Sequence, residues 1–62
     1  MNDDEKLTLS KIAKNILAAN PQAGKLEIRT AQLDHLRATK KPGHPDIIAW
    51  ERMVEYYRNG GK

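Results

Sequence analysis

The chain has no cysteine and no phenylalanine, and only three of its 62 residues are aromatic. Without thiols, neither a disulfide framework nor a thiolate zinc site can form. A domain of this length buries only about 60% of the surface that its unfolded chain exposes, so helix packing or oligomerisation has to support its stability. We therefore expect one small domain over residues 1–62, with residues 1–6 and 59–62 as frayed tails and a homodimer as a possible assembly.

Long hydrophobic runs are also missing, and the first residues, MNDDEK, are acidic. A secretory signal peptide needs a basic start followed by an apolar stretch, and a membrane span needs about 20 apolar residues. The sequence fits neither pattern. We therefore expect no membrane contact and a cytoplasmic location.

Basic residues outnumber acidic ones, and the net charge of +3 for the whole chain understates the excess in its main part. Asp3, Asp4 and Glu5 hold three of the eight acidic residues, which leaves eleven basic and five acidic side chains in residues 6–62, or +6. Such a surplus favours polyanionic or acidic partners without specifying which.

The segment LTLSKIAKNILAA, residues 7–19, has the periodicity of a first helix. Thr8 is a suitable N-cap, and Leu7 with Ile12 would form a hydrophobic staple. Pro21 ends the pattern because proline removes a helical hydrogen bond. At helical spacing, one broad apolar face is expected to hold Leu9, Ile12, Ala13, Ile16 and Leu17.

Residues 20–29 are ambiguous between a loop, a strand and the start of a helix. The stretch KLEIR alternates as a strand does, but a lone strand has no partner, so we expect an irregular or extended linker there. The segment TAQLDHLRATKK, residues 30–41, predicts a second helix with Thr30 as its N-cap. Leu33 and Leu36 form its buried edge.

The last helix, at about residues 45–58, carries the strongest pattern. Pro45 suits a first helical position, and Asn59 with Gly60 provides a stop. One helical stripe holds Ile47, Trp50, Met53, Val54 and Tyr57. We therefore predict an all-α, three-helix domain in which this helix is the core element and packs against the other two.

A second side of the same helix carries Ile48, Arg52 and Tyr56 at every fourth position. Two interpretations remain open. The loop or the first helix covers this side, as small helical domains often bury two sides of one helix. Alternatively, the three residues form a partner interface or a dimer seam, since Tyr and Arg are enriched in binding hot spots.

Catalytic and metal-binding patterns are weak. Ser10 is the only serine, and neither histidine is near it in sequence. His35 and His44 lie nine residues apart, without the spacing of a known metal motif. We therefore expect no enzyme activity, no metal and no cofactor.

The clearest chemical feature is a set of basic residues, three of which collect at the end of the second helix while one precedes that helix: Arg37, Lys40 and Lys41, and Arg29. Clustered cations on a rigid frame suit phosphate contact, although cations here also complement a helix dipole. The sequence therefore predicts a non-enzymatic binding protein, a regulator or accessory factor that contacts nucleic acid. The alternative is a protein-interaction module or inhibitor that docks through Ile48, Arg52 and Tyr56.

Overall fold

A computed structural model describes residues 2–61, and these form three α-helices joined by two short loops. The helices are α1 (Asp3–Ala19), α2 (Lys25–Thr39) and α3 (Pro45–Arg58). The predicted all-α, three-helix architecture is confirmed. None of these helices is both long enough and apolar enough to cross a bilayer. Met1 and Lys62 lie outside the described residues.

The first helix begins earlier than the sequence suggested. Asn2 is its N-cap, and the Asn2 side chain accepts a 2.8 Å hydrogen bond from the backbone N–H of Glu5. Thr8 lies inside the helix, where its hydroxyl donates to the carbonyl of Asp4. The prediction that Thr8 caps the helix is therefore wrong. The prediction of a frayed start is wrong for residues 3–6, which form the first turn of α1. Asparagine is a strong N-cap, and the acidic first turn stabilises the positive end of the helix dipole.

The second helix also begins earlier, at Lys25, with Gly24 as its N-cap. The predicted linker over residues 25–29 is wrong, and Thr30 is an interior residue whose hydroxyl donates to the carbonyl of Leu26. Tertiary contact explains the difference. Arg29 is half-buried one turn before the buried Gln32, so the extra turn extends the packed side of the helix.

The predicted boundaries of α3 are confirmed. Pro45 is the first helical residue, and the N-cap His44 accepts a 3.0 Å hydrogen bond at Nδ1 from the backbone N–H of Asp46. Gly43, at φ +82°, makes the turn that precedes the cap, and Gly60, at φ +89°, follows the C-cap. Both need the left-handed backbone that glycine adopts without strain. The segment KKPGHPD is therefore a helix boundary.

The hydrophobic core is small, and α2 lies in the middle of it. Both α1 and α3 pack against α2, whereas no Cα atom of α1 comes within 8 Å of a Cα atom of α3. The expected packing of α3 against α2 is therefore confirmed, whereas the backbone of α3 does not come close to that of α1. Ile12 and Trp50 pack at the edge of a buried cluster made of Leu9, Leu33, Leu36, Ile47 and Val54.

Because the backbone of α1 approaches only that of α2, a narrow stripe of α1 is covered. Leu9 is buried and Ile12 and Ile16 are half-buried, as the periodicity predicted. Leu17, which the same pattern placed on the buried face, is 40% exposed. A three-helix layout with one central helix cannot cover so broad a face on an outer one.

One buried polar side chain joins all three helices. Gln32, which is 4% exposed, donates from Nε2 to the backbone carbonyl of Leu9 in α1 at 2.9 Å. Its Oε1 accepts from the indole N–H of Trp50 in α3, also at 2.9 Å. The amide thus satisfies a part-buried donor and a buried acceptor at once, which fixes how α1 and α3 are placed around α2. Nothing in the sequence marked this residue.

Candidate interaction surfaces

Arg29, the first of the predicted nucleic-acid contacts, is directed into the domain. Its guanidinium carbon lies 5.8 Å from the ring centroid of Trp50, and its Nη1 donates to Gln32 Oε1 at 2.9 Å. The side chain is half-buried, and its Nε is buried without a partner among the described residues. Arg29 therefore supports the contact between α2 and α3, and its charge faces an aromatic ring.

Two further members of the predicted cluster form ion pairs with carboxylates of other helices. Arg37 Nη2 lies 3.0 Å from Glu51 Oε2 of α3. The ammonium of Lys40 pairs with the carboxylate of Glu5 in α1, and both side chains are largely covered. A phosphate would have to displace these carboxylates. Lys40 and Glu5 thus hold the end of α2 against the start of α1.

Lys41 is exposed and has no carboxylate within ion-pair distance in the described part of the chain. The four predicted contacts are therefore divided between an aromatic stack, two ion pairs and one exposed lysine. The structure does not bring Arg29, Arg37, Lys40 and Lys41 together as one open cationic surface. Nucleic-acid binding through them stays a prediction.

The outer face of α3, defined by Ile48, Arg52 and Tyr56, is open. Ile48 is 41% exposed and Tyr56 is 57% exposed, and Arg52 between them is exposed as well. The interpretation that a loop or α1 covers this side is therefore wrong. It fails because α1 packs on α2 and leaves the side of α3 opposite Ile47 and Val54 without a neighbour.

The charge of Arg52 is not neutralised by any carboxylate side chain of residues 2–61. No carboxylate of the described residues lies within 4 Å of its guanidinium, although Glu55 follows it at the i+3 position. Glu51, the nearest acidic neighbour in sequence, is engaged by Arg37 on another side of the helix. Arg52 thus adds an unpaired cation between two exposed apolar side chains.

The ring of Tyr56 has defined neighbours despite its exposure. It meets the ring of Tyr57 edge to face, with centroids 5.3 Å apart and an interplanar angle of 71°. The backbone N–H of Gly61 donates to the Tyr56 carbonyl at 2.9 Å, and a Cβ at position 61 would collide with the Tyr56 ring. The chain after α3 therefore lies against one edge of the outer face.

A shallow groove runs between α2 and α3 and has a volume of about 350 Å³. Its polar lining has mixed charge, and the Arg37–Glu51 pair crosses it. The other charged side chains along it are Asp34, Glu55 and Arg58. Within residues 2–61, no three His, Asp or Glu side chains are grouped as metal ligands. The groove presents carboxylates and guanidinium groups, and the Thr30 hydroxyl along it donates to the backbone carbonyl of Leu26.

Comparison of the chain with known protein families, with curated proteins and with solved structures found no match. The geometry of the chain is therefore the basis for any functional conclusion. Of the two predicted surfaces, the outer face of α3 is open, whereas three of the four basic residues are engaged by other side chains.

Proposed function

We propose that this chain is a non-enzymatic protein-interaction module that docks onto a protein partner through the outer face of α3. The observation that carries the proposal is the open row of Ile48, Arg52 and Tyr56, in which a cation without a carboxylate partner in the described chain lies between two exposed apolar side chains. Aromatic residues and arginine supply most of the binding energy at protein interfaces. A single exposed apolar side chain elsewhere on the surface is common in proteins and does not by itself indicate a binding site.

The position of this face on the domain also supports the proposal. Ile47 and Val54 anchor the opposite side of α3 in the core, so the helix is held in place before any partner binds. A preorganised helix loses less conformational entropy on binding than a flexible segment does. Ile48 and Tyr56 lie two turns apart on one face of α3, and apolar anchors that recur along one face are how a helix enters a groove or packs on another helix.

The nucleic-acid alternative has less support. Phosphate binding depends on several cations that are free to neutralise the backbone. Arg37 and Lys40 are paired with Glu51 and Glu5, and Arg29 is stacked on Trp50. Of the four predicted residues, Lys41 alone combines exposure with the absence of a carboxylate partner in the described chain.

The test is the double variant Ile48→Gln/Tyr56→Gln, expressed with a tag in the cells that naturally produce the chain. Size-exclusion chromatography of the cleared lysate should show the wild type in a complex larger than the free tagged chain, to which the 62 residues contribute 7.0 kDa. The variant should elute as the free chain, because the apolar contacts of the docking face are lost. Its helix content should be unchanged, since both positions are exposed.

A matched control is provided by the double variant Leu7→Gln/Leu17→Gln, which replaces two exposed apolar residues of α1. The control should elute with the wild type. The proposal is contradicted if the wild type has the size of the free chain both in the lysate and as the concentrated purified chain, or if both double variants lose the complex to the same extent.

A further inference from the structure

We propose that the partner on the outer face of α3 is a second copy of this chain, bound through an antiparallel α3–α3 contact. The inference rests on the proposed function and specifies its partner. It uses two exposed, oppositely charged residues of α3, Arg52 and Glu55, neither of which has an ion-pair partner in the described chain. A surface that carries both an unpaired cation and an unpaired carboxylate has charges that a second copy complements.

The spacing of these two residues suits a two-fold axis. In a symmetric pair of antiparallel helices, residues equally far from the axis on either side face each other, and each contact occurs twice. An axis level with residues 53 and 54 places Arg52 opposite Glu55 of the second copy. The reciprocal pair follows from the symmetry, so the contact contains two ion pairs. Arg52 does not meet its own image.

The uncharged residues fit the same arrangement. With the axis level with residues 53 and 54, Tyr56 lies one residue from the level of Arg52 of the second copy, where the guanidinium can lie over the ring. Ile48 lies level with Asn59, the C-cap of α3, beside Gly60, which has no side chain to obstruct a close approach. Glu51 does not compete for Arg52 because Arg37 already holds it. The outer face thus has both the charges and the shape for a self-complementary interface between two copies of the chain.

The small core gives this association a physical benefit. Five apolar residues are buried in the described chain, and Leu36 alone is completely so. Domains below about 70–80 residues gain little stability from one core, and oligomerisation is one way they add to it. A single helix of 14 residues is about 21 Å long, so the contact is at the small, reversible end of protein interfaces. A second copy would bury Ile48 and Tyr56 and stabilise the folded state by mass action.

Charge reversal tests the pairing directly. Sedimentation equilibrium would be measured for the wild type, Arg52→Glu, Glu55→Arg and the double variant, at chain concentrations from about 10 μM to about 1 mM, a range suited to a weak interface. The wild type should form a dimer. Each single reversal creates two like-charge contacts and should weaken the dimer at least about tenfold, whereas the double variant should return to within about threefold of the wild type. Circular dichroism of all four chains checks that helix content is preserved.

Three results would overturn the inference: a wild type that stays monomeric at every concentration, a dimer indifferent to both single reversals, or a double variant as weak as the single ones. None of them by itself removes the proposed function. That function fails separately, when the wild-type chain elutes alone from the lysate and also stays monomeric as the purified chain. A monomeric purified chain that enters a larger complex in the lysate would reject the second copy and retain the docking face.

Discussion

Leu36→Ala is expected to leave the domain largely unfolded at 37 °C. Leu36 is 0% exposed and lies at the centre of the buried cluster. Truncation of a fully buried leucine costs about 2.7–5 kcal/mol, because the lost burial adds to the cost of the cavity that remains. A single core of this size supplies about 3–5 kcal/mol in total, so the variant keeps little or no net stability. Urea titration followed by far-UV circular dichroism measures the loss.

The same substitution at Leu26 is the matched control. Leu26 belongs to the same helix but is 37% exposed, so Leu26→Ala removes little buried surface and should cost less than about 1 kcal/mol. Equal losses of stability at positions 26 and 36 would contradict the placement of the core on one side of α2. Tryptophan fluorescence gives a second reading, because Trp50 packs at the edge of the cluster.

Gln32→Leu is expected to destabilise the domain by about 2–4 kcal/mol although it adds an apolar side chain to an apolar region. The substitution leaves the indole N–H of Trp50 and the carbonyl of Leu9 without the partner that each now has 2.9 Å away. A buried donor or acceptor that loses its partner costs about 1–3 kcal/mol. Arg29 also loses the oxygen to which its guanidinium donates.

Two further variants separate the roles of the Gln32 amide. Gln32→Glu keeps an oxygen for Trp50 and Arg29 but, when ionised, has no N–H for the carbonyl of Leu9, so its loss of stability should be smaller than that of Gln32→Leu. Gln22→Leu makes the same change at an exposed position and should alter stability by less than about 0.5 kcal/mol. A Gln32→Leu chain as stable as the wild type would show that the three-helix hydrogen-bond network contributes nothing net.

The parts of the fold that sequence alone predicted are those with local causes. The start and end of α3 follow from Pro45, Asn59 and Gly60, whose backbone preferences act within a few residues. Leu33 and Leu36 were found by helical spacing, and both are buried. The starts of α1 and α2 were placed too late, because Thr8 and Thr30 resemble caps but donate to carbonyls inside their helices.

The parts that sequence could not predict depend on residues far apart in the chain. The charge of Lys40 is neutralised by Glu5, which lies 35 positions away in the sequence. The charge of Arg37 is neutralised by Glu51, which lies 14 positions away. A count of positive charges does not reveal which cations a fold pairs internally. The same limit applies to Arg29, which the sequence shows as a free cation and the fold stacks on Trp50. The outer face of α3 was recognised by its spacing, but its exposure depended on where α1 packs.

Photo-crosslinking at position 56 tests most directly whether the outer face of α3 binds a protein. A benzophenone amino acid would replace Tyr56 in one chain and, as the control, Leu7 in another, because these side chains are almost equally exposed, at 57% and 56%. Irradiation in the native cells should give one discrete protein adduct from position 56, with twice the mass of the chain, and none from position 7. Absence of a protein adduct at position 56, or the same adducts from both positions, would contradict a docking role for this face.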